Sequence, residues 1–122
     1  MRSLLLVAHG SRRKASNEEI KVVAQLLRTR VGEQFSHTEH AFLELAEPSI
    51  PEGIEKLIQA GSTQIIILPY FLSAGRHVQE DVPGIVKEMQ GDHPDIPMII
   101  APYLGESDQV IEVLAKISSQ MN

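Results

Sequence analysis

The sequence predicts an α/β fold: a four-stranded parallel sheet in the order 2-1-3-4 with helices on both faces. Three observations predict it. Four apolar runs alternate with four segments of helical periodicity along the chain. Repeated strand–helix alternation makes each helix a crossover between parallel strands. The first and third runs are nearly all apolar, as strands buried on both faces are, while the second and fourth are shorter or more polar and suit the sheet edges.

Taken in order, Ser3 to Ala8 (SLLLVA) reads as the first strand. Ser16 and Glu19 form an S-x-x-E capping box at the head of the first helix. Its apolar stripe is Ile20, Val23, Ala24, Leu27 and Val31, and Gly32 is its stop. Thr38 to Leu45 reads as the second strand, with partial alternation. Ser49 and Glu52 make a second capping box, Ile54, Leu57 and Ile58 the buried face of the second helix, and Gly61 its end. Gln64 to Leu68 (QIIIL) is the third strand. The third helix starts near Pro83, where proline suits a first turn, and carries the stripe Val82, Ile85, Val86 and Met89. Met98 to Ala101 (MIIA) is the fourth strand. Ser107 caps the last helix, with the stripe Val110, Val113, Leu114, Ile117 and Met121.

The chain of 122 residues is 43% hydrophobic, enough for one domain over residues 1–122 with a real core. The longest uninterrupted apolar run, Leu4 to Ala8, is far below the ~20 residues that span a bilayer. Polar residues from His9 onward do not fit a secretory signal. The expectation is a soluble, cytoplasmic protein with no membrane partner. The net charge of −5 argues against nucleic acid as a partner. With no cysteine, disulfides, thiolate metal sites and cysteine nucleophiles are excluded, so any metal must be held by His, Asp or Glu.

In a 2-1-3-4 sheet the chain leaves strand one in one direction and strand three in the other. Ligands bind at such a switch point, outside the carboxyl ends of the strands. The two flanking loops are His9-Gly10-Ser11-Arg12-Arg13-Lys14 and Pro69 through His77, each with a histidine and at least one arginine. The loop after strand two adds Glu44 and Glu47 near the same rim. Two imidazoles facing one cavity can ligate a divalent metal or take up protons near neutral pH. The arginines can hold carboxylates through charge-assisted hydrogen bonds. A single histidine at a strand end is ordinarily a packed structural residue; two on adjoining loops at the switch point favour a ligand. Arg12 to Lys14 would by themselves be a solvated run, Gly75 a turn residue, and Tyr70 and Phe71 packing. His37 and His40, on opposite faces of strand two, make a poor metal clamp, and His93 in a GDHPD turn is expected to be exposed.

VAHGSR near the N-terminus, FLELAEPSIPEGI in the middle and ILPYFLSAGRHVQEDVP after strand three together resemble the short CbiX-type sirohydrochlorin chelatases, over about residues 3 to 103. The resemblance implies a chelatase-like, flavodoxin-like half-domain, half the size of the two-lobed chelatases. It implies a homodimer with the active site between two copies. It also implies insertion of a divalent metal into sirohydrochlorin, cobalt for cobalamin, with nickel or iron in other branches. The metal is then substrate, and no cofactor is held permanently. By position, the family's metal ligands fall on His9 and His77, and its proton acceptor on His9. The substrate-contacting loop falls on Leu72, Ser73, Ala74, Gly75, Arg76 and His77, and the acidic residue before proline on Glu47. Arg12, with Arg13 and Arg76, would meet the ring carboxylates. Imidazole ligates only when neutral, so protonation is expected to release the metal.

Rival readings are weaker. A histidine phosphatase needs arginine before the first-strand histidine, where this chain has Ala8. A receiver needs aspartate after strand three, where Pro69, Tyr70 and Phe71 stand. A flavin phosphate loop would be rich in Ser, Thr and Gly, whereas the first loop here is basic. A metal or tetrapyrrole carrier that binds without catalysing would use the same histidines.

Overall fold

The computed structural model describes residues 1–73 and 75–121, and the side chains of His77 and Val78 lie outside that description. Strand β1 (Arg2–Ala8) is followed by helix α1 (Lys14–Val31), strand β2 (His37–Phe42), helix α2 (Ile50–Gln59) and strand β3 (Gln64–Pro69). A π-helical turn (His77–Asp81) leads into helix α3 (Val82–Asp92), then strand β4 (Met98–Ile100), a 3-10 turn (Leu104–Glu106) and helix α4 (Gln109–Ser119). The four strands are parallel in the order β2-β1-β3-β4, as the sequence predicts.

The local signals act as their chemistry dictates. Ser49 accepts from the Glu52 amide and Glu52 accepts from the Ser49 amide, closing both halves of the capping box. Gly32 closes α1 with φ 56, and Pro83 sits in the first turn of α3. The expected Ser16–Glu19 box does not form. Helix α1 begins earlier, at Lys14, with Arg13 as its cap and no side-chain cap bond, so Ser16 lies inside the first turn. Strand β2 stops at Phe42 rather than Leu45, because the chain bends away through Leu45 at φ 65 to the cis Glu47–Pro48 peptide.

One sheet face carries Leu5, Val7, Ala41, Ile65 and Ile67, packed against Ile50, Ile54 and Leu57 of α2 and Val82, Val86 and Met89 of α3. Strand alternation sends Leu4, Leu6, Phe42, Ile66 and Ile99 to the opposite face, in register across the sheet. There α1 covers β2, and Leu4, Leu6 and Phe42 are buried. Over β3 and β4 the cover fails: Ile66 and Leu68 are half-buried and Ile99 is exposed. The expectation that β3 is buried on both faces therefore holds on one face only. The reason is α4, whose main packing partner is the Leu104–Glu106 turn rather than a strand. No helix among the described residues is long and apolar enough to cross a membrane.

Candidate functional site

His9 is the first residue beyond β1, and the loop after β3 starts one strand away at Tyr70. The Tyr70 amide donates to the Val7 carbonyl at 2.7 Å, and the Leu43 and Glu44 amides donate to the carbonyls of Ala8 and His9 at 2.9 and 3.0 Å. Backbone pairing thus runs past the strand ends and holds three loops side by side at the carboxyl edge of the sheet, at the switch point. The His9 imidazole Nε2 lies 3.6 Å from a Glu44 carboxylate oxygen, with both side chains about half exposed.

Gly10 makes this approach possible. Its φ is +98°, and a Cβ there would lie 1.8 Å from the Glu44 carbonyl oxygen, so no other residue fits. Asn17, one turn into α1, fixes the rest of the loop. It accepts from the Ser11 amide at 3.0 Å and donates to the Ser11 carbonyl at 2.7 Å, while the Ser11 hydroxyl accepts from the Arg13 amide at 3.0 Å. Arg12, Arg13 and Lys14 stand exposed on this rim at the N-terminus of α1.

On the α1 side of His9, an open groove of about 290 Å³ is lined by His9, Ser11, Asn17, Glu19, Ile20 and Tyr70. On the α3 side, a groove of about 540 Å³ is lined by Glu44, Glu80, Asp81 and Glu88 with Leu43 and Ile85. The first groove carries one carboxylate, Glu19, and the second four, so the α3 side is the one whose charge suits a metal cation. Among the described residues no three His, Asp or Glu side chains converge closely enough to hold a metal ion.

The other sequence-predicted residues fall as follows. The His77 backbone opens the π-turn that ends the loop after β3, while its side chain and all of Ala74 lie outside the described residues. Leu72, Ser73, Gly75 and Arg76 are exposed along that loop, and Arg76 pairs with Glu80 at 3.7 Å. Glu47 is exposed in the loop after β2. Phe71 packs against the core, and Tyr70 lines the groove beside His9. His93 corrects an expectation: it is half-buried, with its Nε2 2.8 Å from Glu55, because the turn after α3 folds back onto α2. His40 is half-buried on β2 with its ring edge-on to Phe42 at 5.6 Å, away from the rim.

Sequence reasoning missed Asn17 and the acidic run Glu80-Asp81. The signal for Asn17 was a hydrogen-bonding residue four positions after Lys-bordered Arg13 where no cap was needed. For Glu80 and Asp81 it was a carboxylate pair directly behind the loop motif.

The profile of the CbiX family matches residues 3–121. The chain belongs to the CbiX family. Among its relatives, this CbiX chain is 32% identical over 114 residues to a protein of Sulfolobus acidocaldarius named sirohydrochlorin cobaltochelatase, covering 93% of this chain and 87% of that one. It is 30% identical over 111 residues to the chloroplastic sirohydrochlorin ferrochelatase of Arabidopsis thaliana, covering 91% of this chain and 48% of that one. Among solved structures, SirB, the sirohydrochlorin chelatase of Bacillus subtilis subspecies spizizenii in complex with cobalt, superposes with a TM-score of 0.86 at 26% identity, over 98% of this chain and 50% of that one. The CbiX chain therefore spans about half the length of several relatives it matches, and nearly the whole of others.

Proposed function

We propose that this chain inserts a divalent metal, cobalt by preference, into sirohydrochlorin with release of two protons, acting as a cytoplasmic homodimer of one domain over residues 1–122. The observation that carries the reading is the position of His9: it stands at the switch point, against Glu44, on a loop clamped by Gly10 and Asn17, in a chain of the CbiX family. His9 and His77 hold the entering metal as neutral bases. His9 or its mate in the second copy then accepts the two pyrrole protons in turn, passing each to solvent, as the ring nitrogens displace the imidazoles. Arg12, Arg13 and Arg76 meet the ring carboxylates, Glu47 and the Leu72–His77 loop seat the ring, and Glu44 receives charge from a protonated His9. Cobalt is favoured by the names of the archaeal relatives; iron is the next choice, because the plant relative is named a ferrochelatase.

The test is the initial rate of metal insertion, followed by absorbance, with sirohydrochlorin and cobalt, nickel or ferrous iron supplied separately. Many turnovers per chain are expected, fastest with cobalt, and a stop at stoichiometric product would instead mark a carrier. His9→Ala is expected to lower the rate roughly 100-fold or more, the range for loss of a positioned base. Full activity in both His9→Ala and His77→Ala would refute the assignment.

A further inference from the structure

The α1 face of strand β2 holds a polar side chain that the chain itself leaves unsatisfied. Thr38 is only 7% exposed, and its hydroxyl oxygen is fully buried with no hydrogen-bond partner among the described residues. Buried hydroxyls are ordinarily paired, so an orphan asks for a partner from outside the chain. Thr38 forms part of the lining of a cavity of about 120 Å³ between α1 and β2, smaller and more enclosed than either groove beside His9. The sheet register explains the meeting: Thr38 and His40 lie opposite Leu4 and Leu6 of β1, on the face that α1 covers.

The rest of the lining suits an anion. Lys21, Gln25 and Arg28 follow one another at spacings of four and three along α1, hence on one side of that helix, and line the same cavity. Their side chains are long and exposed, so a change of rotamer admits a small ion to the floor. Glu39 also borders the cavity, but it pairs with Lys56 of α2 at 3.5 Å, and no described carboxylate pairs with Lys21 or Arg28. The lining therefore keeps net positive charge in a chain whose net charge is −5. His40 completes it. Burial lowers its pKa; Glu39 and Glu18 oppose that shift, while Lys21 and Lys56 add to it. A neutral imidazole still offers an N–H to an anion. The donors thus converge from the sheet, from the helix and from the ring. A planar carboxylate has two oxygens to meet them, whereas a tetrahedral phosphate has four.

We infer that the cavity between α1 and β2 is a phosphate-binding site, in which Thr38 donates from the floor and Lys21, Gln25, Arg28 and His40 close over the ion. The ligand is a phosphate group, either the free ion or the phosphate of a larger molecule whose remainder stays outside so small a cavity. Thr38 lies four residues before the end of β2 at Phe42, about 13 Å along the strand from the rim. The site is therefore separate from the grooves at His9 and stands whatever is bound there.

The full chain, free of metal and tetrapyrrole, is titrated with inorganic phosphate at pH 7 and constant ionic strength, and its histidine ring signals are followed by NMR. A saturable shift of the His40 ring is expected, with the His40 pKa raised in the bound protein. Arg28→Gln and Thr38→Val are each expected to weaken binding roughly 10-fold, the loss of one hydrogen bond to a charged group. Phosphate also stabilises proteins by exclusion from their surface, so the thermal midpoint of each variant measures that general effect. The unaltered chain is expected to gain more from phosphate than either variant does. Thr38→Val without phosphate is expected to be at least as stable as the unaltered chain, because it removes the orphaned hydroxyl, so its weaker binding is not a loss of fold. Adenosine monophosphate is titrated in parallel: tighter binding than inorganic phosphate assigns the site to a larger phosphate ester, and equal or weaker binding to the free ion. A shift of His9 without His40 would place the anion at the Arg12–Lys14 rim and overturn the proposal. A His40 shift that survives both substitutions would overturn it too, as would no shift with either ligand, which would leave an ordered water as the partner of Thr38.

Discussion

Single residues fix the geometry at the rim. Gly10 is held at φ +98° with the Glu44 carbonyl where a Cβ would be. Gly10→Ala is therefore expected to destabilise by about 1–3 kcal/mol from the left-handed backbone alone, with the clash adding to that. It should also displace His9 from Glu44. Urea unfolding measures the first effect and metal-insertion rate the second; unchanged values in both would remove Gly10 from the argument. His40 shows a different residue-scale effect. Burial holds its pKa below the usual histidine value; Glu39 and Glu18 oppose that shift, while Lys21 and Lys56 add to it. The unfolded chain thus takes up this proton before the folded one. Stability is complete above about pH 6.5 and falls as pH drops from there toward the lower folded value. Replacing the ring by His40→Leu should flatten that part of the acid limb in unfolding free energy measured from pH 7 to 5.

At the scale of elements, helix ends and stripes were the most legible part of the sequence. The Ser49–Glu52 box was readable because both partners and the following Ile54 and Leu57 agree on one start. Its amide and hydroxyl contacts hold Glu52 below the ordinary carboxylate range. Ser49→Ala should cost about 1 kcal/mol, read as a lower midpoint in urea, with Glu52→Gln costing less because an amide oxygen still accepts. The same S-x-x-E pattern misled at Ser16, where the loop is anchored by Asn17 to Ser11 and the helix has already begun at Lys14. A four-residue motif carries no information about a clamp made across the preceding loop. The end of β2 was illegible for a related reason. Leu43 and Leu45 continue an apolar alternation, but Leu45 has left-handed backbone and the pairing of Leu43 and Glu44 is with the His9 loop end. The edge at which the chain leaves β1 and β3 was legible, since the strand order alone brings His9 and Tyr70 to the same end of the sheet. The Asn17 clamp on Ser11 and the acidic wall of Glu44, Glu80, Asp81 and Glu88 were not legible, because both are made between segments by the way the loops fold back.

For the whole molecule, strand order was legible because burial pattern and crossover handedness leave few choices. The destination of α4 was not, because a stripe announces that a helix will be buried without saying in which chain. That ambiguity has a thermodynamic consequence. If the exposed α4 stripe and the bare β3–β4 surface are covered by a second copy, unfolding is coupled to dissociation, and stability depends on protein concentration. A hundredfold rise in concentration then adds ~2.7 kcal/mol per dimer. With unfolding entropy of ~2.1 cal/mol/K per residue over two chains, the thermal midpoint should rise by about 5 °C. A chain that is complete as a monomer would melt at the same temperature at both concentrations. Calorimetry at two concentrations, in buffer without metal or tetrapyrrole, separates the two outcomes, and Leu114→Asp should lower the midpoint most at the dilute end, where mass action no longer holds the helices in place.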